Sequence, residues 1–331
     1  MTKIFIGPMS KNIVDAITEM PVGDKRLVGF LPSRRQIEYT GGYVNNWKTE
    51  NFVNYGRERD SDIILQRDHA GPSQGAKDDD GLESLKHDSL SGFNLIHIDP
   101  WKKYKELDDA IEATCNLIKH CHRFNSTIKY EIGTEQAIRE YSIEEFEKFI
   151  ASVQKNLGNL FEAVEYGVIQ GGTRIEGTKN IGTFDENRCK KMIEVCKKYG
   201  LSSKEHNGDY LTATQIKRRF DLGLTSINIA PEFGVLETKC ILNEILNNID
   251  EKSFKKFYEL CYNSRKWVKW LPSSVEKTTE QITKILIMRV AGHYTFSTDD
   301  FKKIKLKYPD IDKLIQEKVK KRVLEVLWAA K

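Results

Sequence analysis

Seven short stretches of this chain carry residues that packing does not require and chemistry does. They read SRR (Ser33, Arg34, Arg35), RDHAGP (with Asp68 and His69), HID (His97, Asp99), EIGTE (Glu131, Thr134, Glu135), QGGT (Gln170, Gly171, Gly172), EHNGDY (Glu205, His206, Asn207, Asp209) and NIAPEFG (Asn228, Glu232). Two histidines, His69 and His206, with a carboxylate and an amide oxygen can complete a nitrogen and oxygen coordination sphere for a divalent metal, leaving a position for substrate. Zinc is the first choice, with manganese, cobalt or nickel as alternatives, because such ligands discriminate weakly among these ions. A lone histidine is more often a hydrogen-bonded structural residue. The recurrence of polar clusters, one after another, is what favours a site.

Gly171, Gly172 and Gly208 offer backbone amides that can cradle a phosphate, although their spacing matches neither a dinucleotide fingerprint nor a P-loop. Arg34 and Arg35 can clamp a phosphate or carboxylate, with one of the two expected to point into water.

Each cluster directly follows a short apolar run. The strand candidates are residues 3–7, 27–31, 63–67, 94–98, 127–132, 164–169, 201–205 and 225–229, eight in number, separated by amphipathic helical patterns such as 12–20, 108–121, 143–157 and 186–200. Asp185 and Gly200 suit helix start and stop. The segment LSSKE at 201–205 is weak on propensity and owes its assignment to its place in the series. This βα alternation predicts a (β/α)8 TIM barrel over residues 1–235, with an open doubly wound sheet as the alternative. In either fold the residues after the strands converge on one face, where parallel α/β proteins place their sites. Residues 236–331 change character, with helical patterns at 235–248, 253–268, 275–290 and 310–329, and read as a helical extension packed on the barrel or forming a subunit contact. Trp267 and Trp270 are expected to pack there.

Composition excludes several classes. The 331 residues are 39% hydrophobic and 30% charged, as in globular domains. The 52 basic and 48 acidic side chains nearly cancel, and the lysines near the end alternate with acids, so a nucleic-acid surface is not expected. No apolar run approaches the roughly 20 residues that span a bilayer, and the first twenty residues lack a signal-peptide layout, which predicts a cytoplasmic protein without membrane partners. The six cysteines form no CxxC pair and are expected to be buried thiols.

Taken together, Gly41 to Tyr43 (GGY), IILQRDHAGP at 63–72, IHID at 96–99, EIGTE at 131–135, the pair Gln170-Gly171 and EHNGDY at 205–210 resemble one family. It is the accessory-subunit family of class II D-tagatose-1,6-bisphosphate aldolases, which includes metal-dependent ketose 4-epimerases. The resemblance covers roughly residues 25–235. It implies a divalent metal held by His69, Glu131, Gln170 and His206, with Asp68 as proton-transfer residue; Glu131 and Asp209, from the clusters after the strands, are the further catalytic candidates. The substrate would meet Ser33, Arg34, Arg35, His97, Asp99, Glu135, Gly171, Gly172, Asn207 and Asn228. The sequence departs from the family pattern at EHNGDY and at Ser33-Arg34-Arg35, so a substrate other than tagatose 1,6-bisphosphate is expected.

The chemistry so implied is retro-aldol cleavage of the C3–C4 bond of a ketose or sugar phosphate, with the metal polarising the carbonyl. Release of the aldehyde fragment gives an aldolase; rotation and re-addition give a 4-epimerase. A non-catalytic subunit of a tagatose-bisphosphate aldolase is the third reading, and a homo-oligomer or an association with an aldolase chain would follow. Asp68 is assigned proton transfer, not metal binding, because consecutive strand residues point in different directions.

Overall fold

The computed structural model describes residues 2–271, 275 and 280–331. Eight parallel strands form a closed barrel: β1 (Ile4–Ile6), β2 (Val28–Phe30), β3 (Ile64–Ala70), β4 (Leu95–Ile98), β5 (Lys129–Ile132), β6 (Val164–Ile169), β7 (Ser202–Glu205) and β8 (Ser226–Ile229). Each pairs with the next in sequence, and β8 closes onto β1. The expected barrel is therefore observed and the open sheet is not. The weak segment LSSKE is the seventh strand, held between β6 and β8 by ladder bonds that offset its poor propensity.

The helices that follow the strands are α1 (Lys11–Thr18), α2 (Thr49–Arg59), α3 (Leu82–Ser91), α4 (Leu107–Phe124), α5 (Ile143–Leu157), α6 (Glu186–Lys198), α7 (Ala213–Asp221) and α8 (Pro231–Asn247). Side-chain caps set several starts: Ser142 with Glu145 and Thr212 with Gln215 form capping boxes, and Asp185 accepts from the Arg188 amide. Helix α8 runs continuously through residue 235, where the sequence suggests the barrel ends. Beyond it lie α9 (Glu251–Asn263), α10 (Gln281–Ala291), α11 (Asp299–Lys305) and α12 (Ile311–Ala329). The pattern expected from residue 275 is helical from Gln281, and residues 276–279 lie outside the described ones. Helix α12 packs against α1, α7 and α8, so the extension covers the barrel wall. Among the described residues no helix is long and apolar enough to cross a membrane. All six cysteines are buried and unpaired.

Strand alternation sorts the side chains. Ile4, Ile6, Val28, Phe30, Leu65, Ile96, Ile98, Ile227 and Ile229 join the large core between sheet and helices. Phe5, Leu31, Leu95 and Tyr166 form a separate apolar plug inside the barrel. Above that plug the interior turns polar: Gln66, Lys204 and Glu131 are wholly buried and bonded to one another. Arg67, one residue on from Gln66, faces the opposite way and is paired with the buried Asp88 at 2.6 Å under α3.

Candidate metal centre

Three imidazoles meet at the top of the barrel, with ring centroids 4.8 to 5.3 Å apart: His69 from β3, His97 from β4 and His206 just past β7. With Asp68 they place one ligand atom each within 4.8 Å of one another. In each ring one nitrogen is already committed. His69 Nδ1 donates to Asp99 Oδ2 at 2.6 Å, His97 Nε2 to the Gly133 carbonyl at 3.0 Å, and His206 Nε2 to Glu131 Oε1 at 2.6 Å. These partners can only accept, so the bonded nitrogen carries a proton, and it is in the neutral ring that the other nitrogen presents its lone pair. The bare atoms are His69 Nε2, His97 Nδ1 and His206 Nδ1. Among the described residues, the donor aimed at them is the His69 amide, a long 3.3 Å contact to His97 Nδ1.

Two carboxylates flank the three rings. Asp68 Oδ1 lies 3.8 Å from both His69 Nε2 and His97 Nδ1. Glu135 Oε2 lies 3.7 Å from His69 Nε2 and 3.9 Å from His206 Nδ1, and accepts a bond from Asn207 at 2.8 Å. Asp68 Oδ1 is buried with no hydrogen-bond partner. A carboxylate oxygen so placed is costly unless something positive completes it. The residues therefore fit a divalent cation, by donor chemistry and by this orphaned oxygen.

The backbone has been bent to make this possible. Regular alternation would send Asp68 and His69 to opposite faces, but the β3–β4 register shifts between Arg67 and Ala70, and His69 has φ of 44°. This bulge turns both side chains inward and removes direction as a reason to treat them differently. Asn207, with φ of 56°, is a second left-handed residue beside the cluster.

Charge in the site is coupled. Burial alone would raise the Asp68 pKa, and His69, His97 and His206 outweigh it and bring it to about 2. Burial works against a charged His69, yet Asp68, the bond to Asp99 and Glu135 lift its pKa to about 10. His97 is also raised, with burial opposed chiefly by Glu131 and Asp68. Glu131 is held well below the carboxylate range despite burial, by Lys204 and His97. Lys204, 2.5 Å from Glu131 Oε2, lies 3.6 Å from the Phe5 ring centre and 4.1 Å from that of Tyr166.

Several expected roles are redistributed. His97, expected to meet substrate, stands in the cluster that could hold a metal, and Asp99, likewise expected to meet substrate, bonds to His69. Glu131, expected to bind metal and act in catalysis, has Oε1 on His206 and Oε2 shared by Lys204 and Gln66. Gln170 is not brought to the cluster: its amide oxygen accepts from the Tyr141 amide and Arg188, and its NH2 donates to Thr134 and Arg139 carbonyls. Asp209 accepts from the Ala230 and Glu232 amides at the start of α8, and burial with the Glu232 carboxylate pushes its pKa up to about 8. The Gly171 amide is taken by Glu205 and offers no free phosphate cradle, and Gly172, at φ of 100°, lies against Thr183. Ser33 bridges the Asp68 backbone and donates its amide to Gln36. Arg34 is buried in bonds to Glu38 and Asp79, whereas Arg35 is exposed. Asn228 lies 4% exposed in register with the inward Phe5, and neither of its amide atoms has a partner.

Lys204 escaped the sequence reading. Its signal was available: Lys204 and His206 share a strand face, and a lysine there must meet a carboxylate inside the barrel.

No family model matches the sequence, and no curated protein matches it either. Solved structures do. A probable tagatose 6 phosphate kinase from Sinorhizobium meliloti 1021 aligns over 100% of both chains at 14% identity with a TM-score of 0.75. The fructuronate-tagaturonate epimerase UxaE from Cohnella laeviribosi aligns over 99% of this chain and 81% of its own at 9% identity, TM-score 0.66. The YdjI aldolase from Escherichia coli K12 aligns over 92% and 90% at 13% identity, TM-score 0.54. At these identities the likeness is one of fold, shared with proteins named as a probable kinase, an epimerase and an aldolase.

Proposed function

We propose that this chain is a metal-dependent enzyme that breaks and remakes the C3–C4 bond of a ketose by retro-aldol and aldol steps. The observation that carries the reading is the trio of imidazoles, each with one nitrogen bound internally and the other turned to a common point beside an orphaned carboxylate oxygen. His69, His97 and His206 would hold the ion, and when bound it supplies Lewis acidity to a ketose carbonyl and the neighbouring hydroxyl. Three histidines suffice for a catalytic site with an open position. Asp68 is then available as the group that takes the C4 hydroxyl proton, since it is ionised and its Oδ1 has no other partner. Asn228 offers both a donor and an acceptor to substrate hydroxyls. Glu135, held by Asn207, flanks the opposite side.

The same groups serve a 4-epimerase if the aldehyde fragment is retained and re-added on its other face. The intact cluster argues against a purely accessory subunit. Incubation of the metal-loaded protein with ketose phosphates and ketouronic acids, followed by NMR, tests the reading. Cleavage or C4 inversion that needs metal supports it; turnover unaffected by chelation, or none on any member, contradicts it.

A further inference from the structure

A cavity of about 810 Å³ lies beside the metal cluster, and cations outnumber carboxylates in its wall: Arg34, Arg35, Lys77, Arg265, Lys266 and Lys269 line it, against Glu38 and Asp79. Two of its boundaries tie it to the cluster. Ser33 lines the cavity and bridges the backbone of Asp68, and Lys269 lies within electrostatic reach of both Arg35 and Glu135. Lys102, close to Arg35, also feels Asp99, Glu135 and Asp68.

One side of this wall, Arg265, Lys266, Val268, Lys269 and Tyr294, comes from outside the barrel proper. The segment 265–270 of the extension is laid across the barrel mouth, where the Trp270 carbonyl accepts from Gly177 in the loop after β6. Ser297 donates to the Tyr43 carbonyl at 2.6 Å, and the Tyr43 and Tyr294 rings lie 4.6 Å apart. These contacts fix Lys266 and Lys269 opposite Arg35.

The cations of the wall differ from the structural one beneath it. Arg34 is buried and answered by Glu38 and Asp79. Among the described residues, Arg35, Lys77, Lys266 and Lys269 make no ion pair: Arg35 donates to the Gly75 carbonyl, and Lys269 rests on the Trp270 ring at 4.2 Å. Like charges gathered on one concave surface raise the local potential and favour an anion between them.

We infer that this cavity is the recognition site for an anionic group, phosphate or carboxylate, at the end of the substrate remote from the metal, and that Lys269 of the C-terminal extension and Arg35 of the barrel grip it together. The inference rests on the proposed ketose chemistry for its orientation, and it gives the extension a function in completing the specificity pocket. Proteins that share this fold at low sequence identity could then keep the barrel and change substrate by changing this segment.

Binding of three unreactive polyols to the metal-loaded protein tests it: glucitol 6-phosphate, gluconate and neutral glucitol, by calorimetry. At least one anion should bind tenfold or more tightly than glucitol, and whichever wins identifies phosphate or carboxylate as the natural group. Lys269→Ala and Arg35→Gln should each remove at least tenfold of that preference, Lys269→Arg should restore most of it, and Lys321→Ala, a remote exposed lysine, should change nothing. Anions that bind no better than glucitol, or a preference that survives both substitutions, overturn the inference. Repeating the titration on metal-free protein separates this site from the reaction: anion preference without metal uptake would leave the site standing and remove the proposed chemistry.

Discussion

Glu131 Oε1 lies 2.6 Å from His206 Nε2 while its other oxygen is 2.5 Å from Lys204 Nζ, so one buried carboxylate links a metal-facing ring to an interior cation. Lys204 keeps Glu131 ionised, and an ionised Glu131 keeps the proton of His206 on Nε2 and its lone pair on Nδ1. The ring is thus oriented by a chain of wholly buried residues.

Lys204→Met should therefore act twice. Leaving Glu131 buried without its cation is expected to destabilise the fold by about 3–5 kcal/mol, measured by denaturant unfolding. Metal affinity should fall about 10–100-fold in the part that stays folded, as for other partners of metal-binding histidines. Wild-type stability together with wild-type metal affinity would show that the ion pair orients nothing.

Asp68→Asn preserves size and removes the base. Turnover is expected to drop at least about a hundredfold, the low end for general-base groups, while metal content stays near that of wild type. Loss of metal in this variant would make Asp68 a fourth ligand instead.

Metal uptake should release protons. With its pKa lifted to about 10 by Asp68, Asp99 and Glu135 against burial, His69 of the metal-free protein carries a proton on Nε2 at neutral pH. A cation must displace it, so affinity rises with pH up to that value by about tenfold per unit for one proton. Calorimetry in two buffers of different ionisation heat counts the protons; a count of zero at pH 7 rules out His69 Nε2 as a ligand.

Above pH 8 recognition of the anionic end should weaken. The surrounding protein and then Arg35 lower the Lys269 pKa to about 8, Glu135 pulling the other way, with Trp270, Tyr294 and Lys266 as the other groups around it. The cation is present below that value and lost above it, so the Michaelis constant for an anionic substrate should climb in alkaline buffer and that for a neutral ketose should not. Lys269→Arg should flatten the rise.

The barrel was legible because βα alternation repeats eight times and the polar bursts mark one end of nearly every strand. Even the poor strand LSSKE was placed by its neighbours. The site was half legible. His69 and His206 stood out as residues after strands, but His97 was read as a substrate contact because a strand histidine carries no sign of which nitrogen is bare. That sign is the Gly133 carbonyl, a long-range partner. Gln170 and Asp209 look chemical in sequence and are structural in space: one ties down loops and the other caps α8. The bulge at Asp68 and His69 defeats alternation itself, and no propensity in RDHAGP announces it. Arg34 and Arg35 are adjacent in sequence and opposite in role, since only Arg34 finds carboxylate partners, Glu38 and Asp79.

The central claim is that His69, His97 and His206 together hold a divalent ion, and metal content measured by mass spectrometry after reconstitution tests it most directly. The wild-type chain should retain about one ion per chain after desalting, and His97→Ala, like His69→Ala and His206→Ala, should lose it while the barrel stays folded by circular dichroism. A wild-type chain that takes up no divalent metal, or a His97→Ala variant that keeps a full equivalent, would contradict the account.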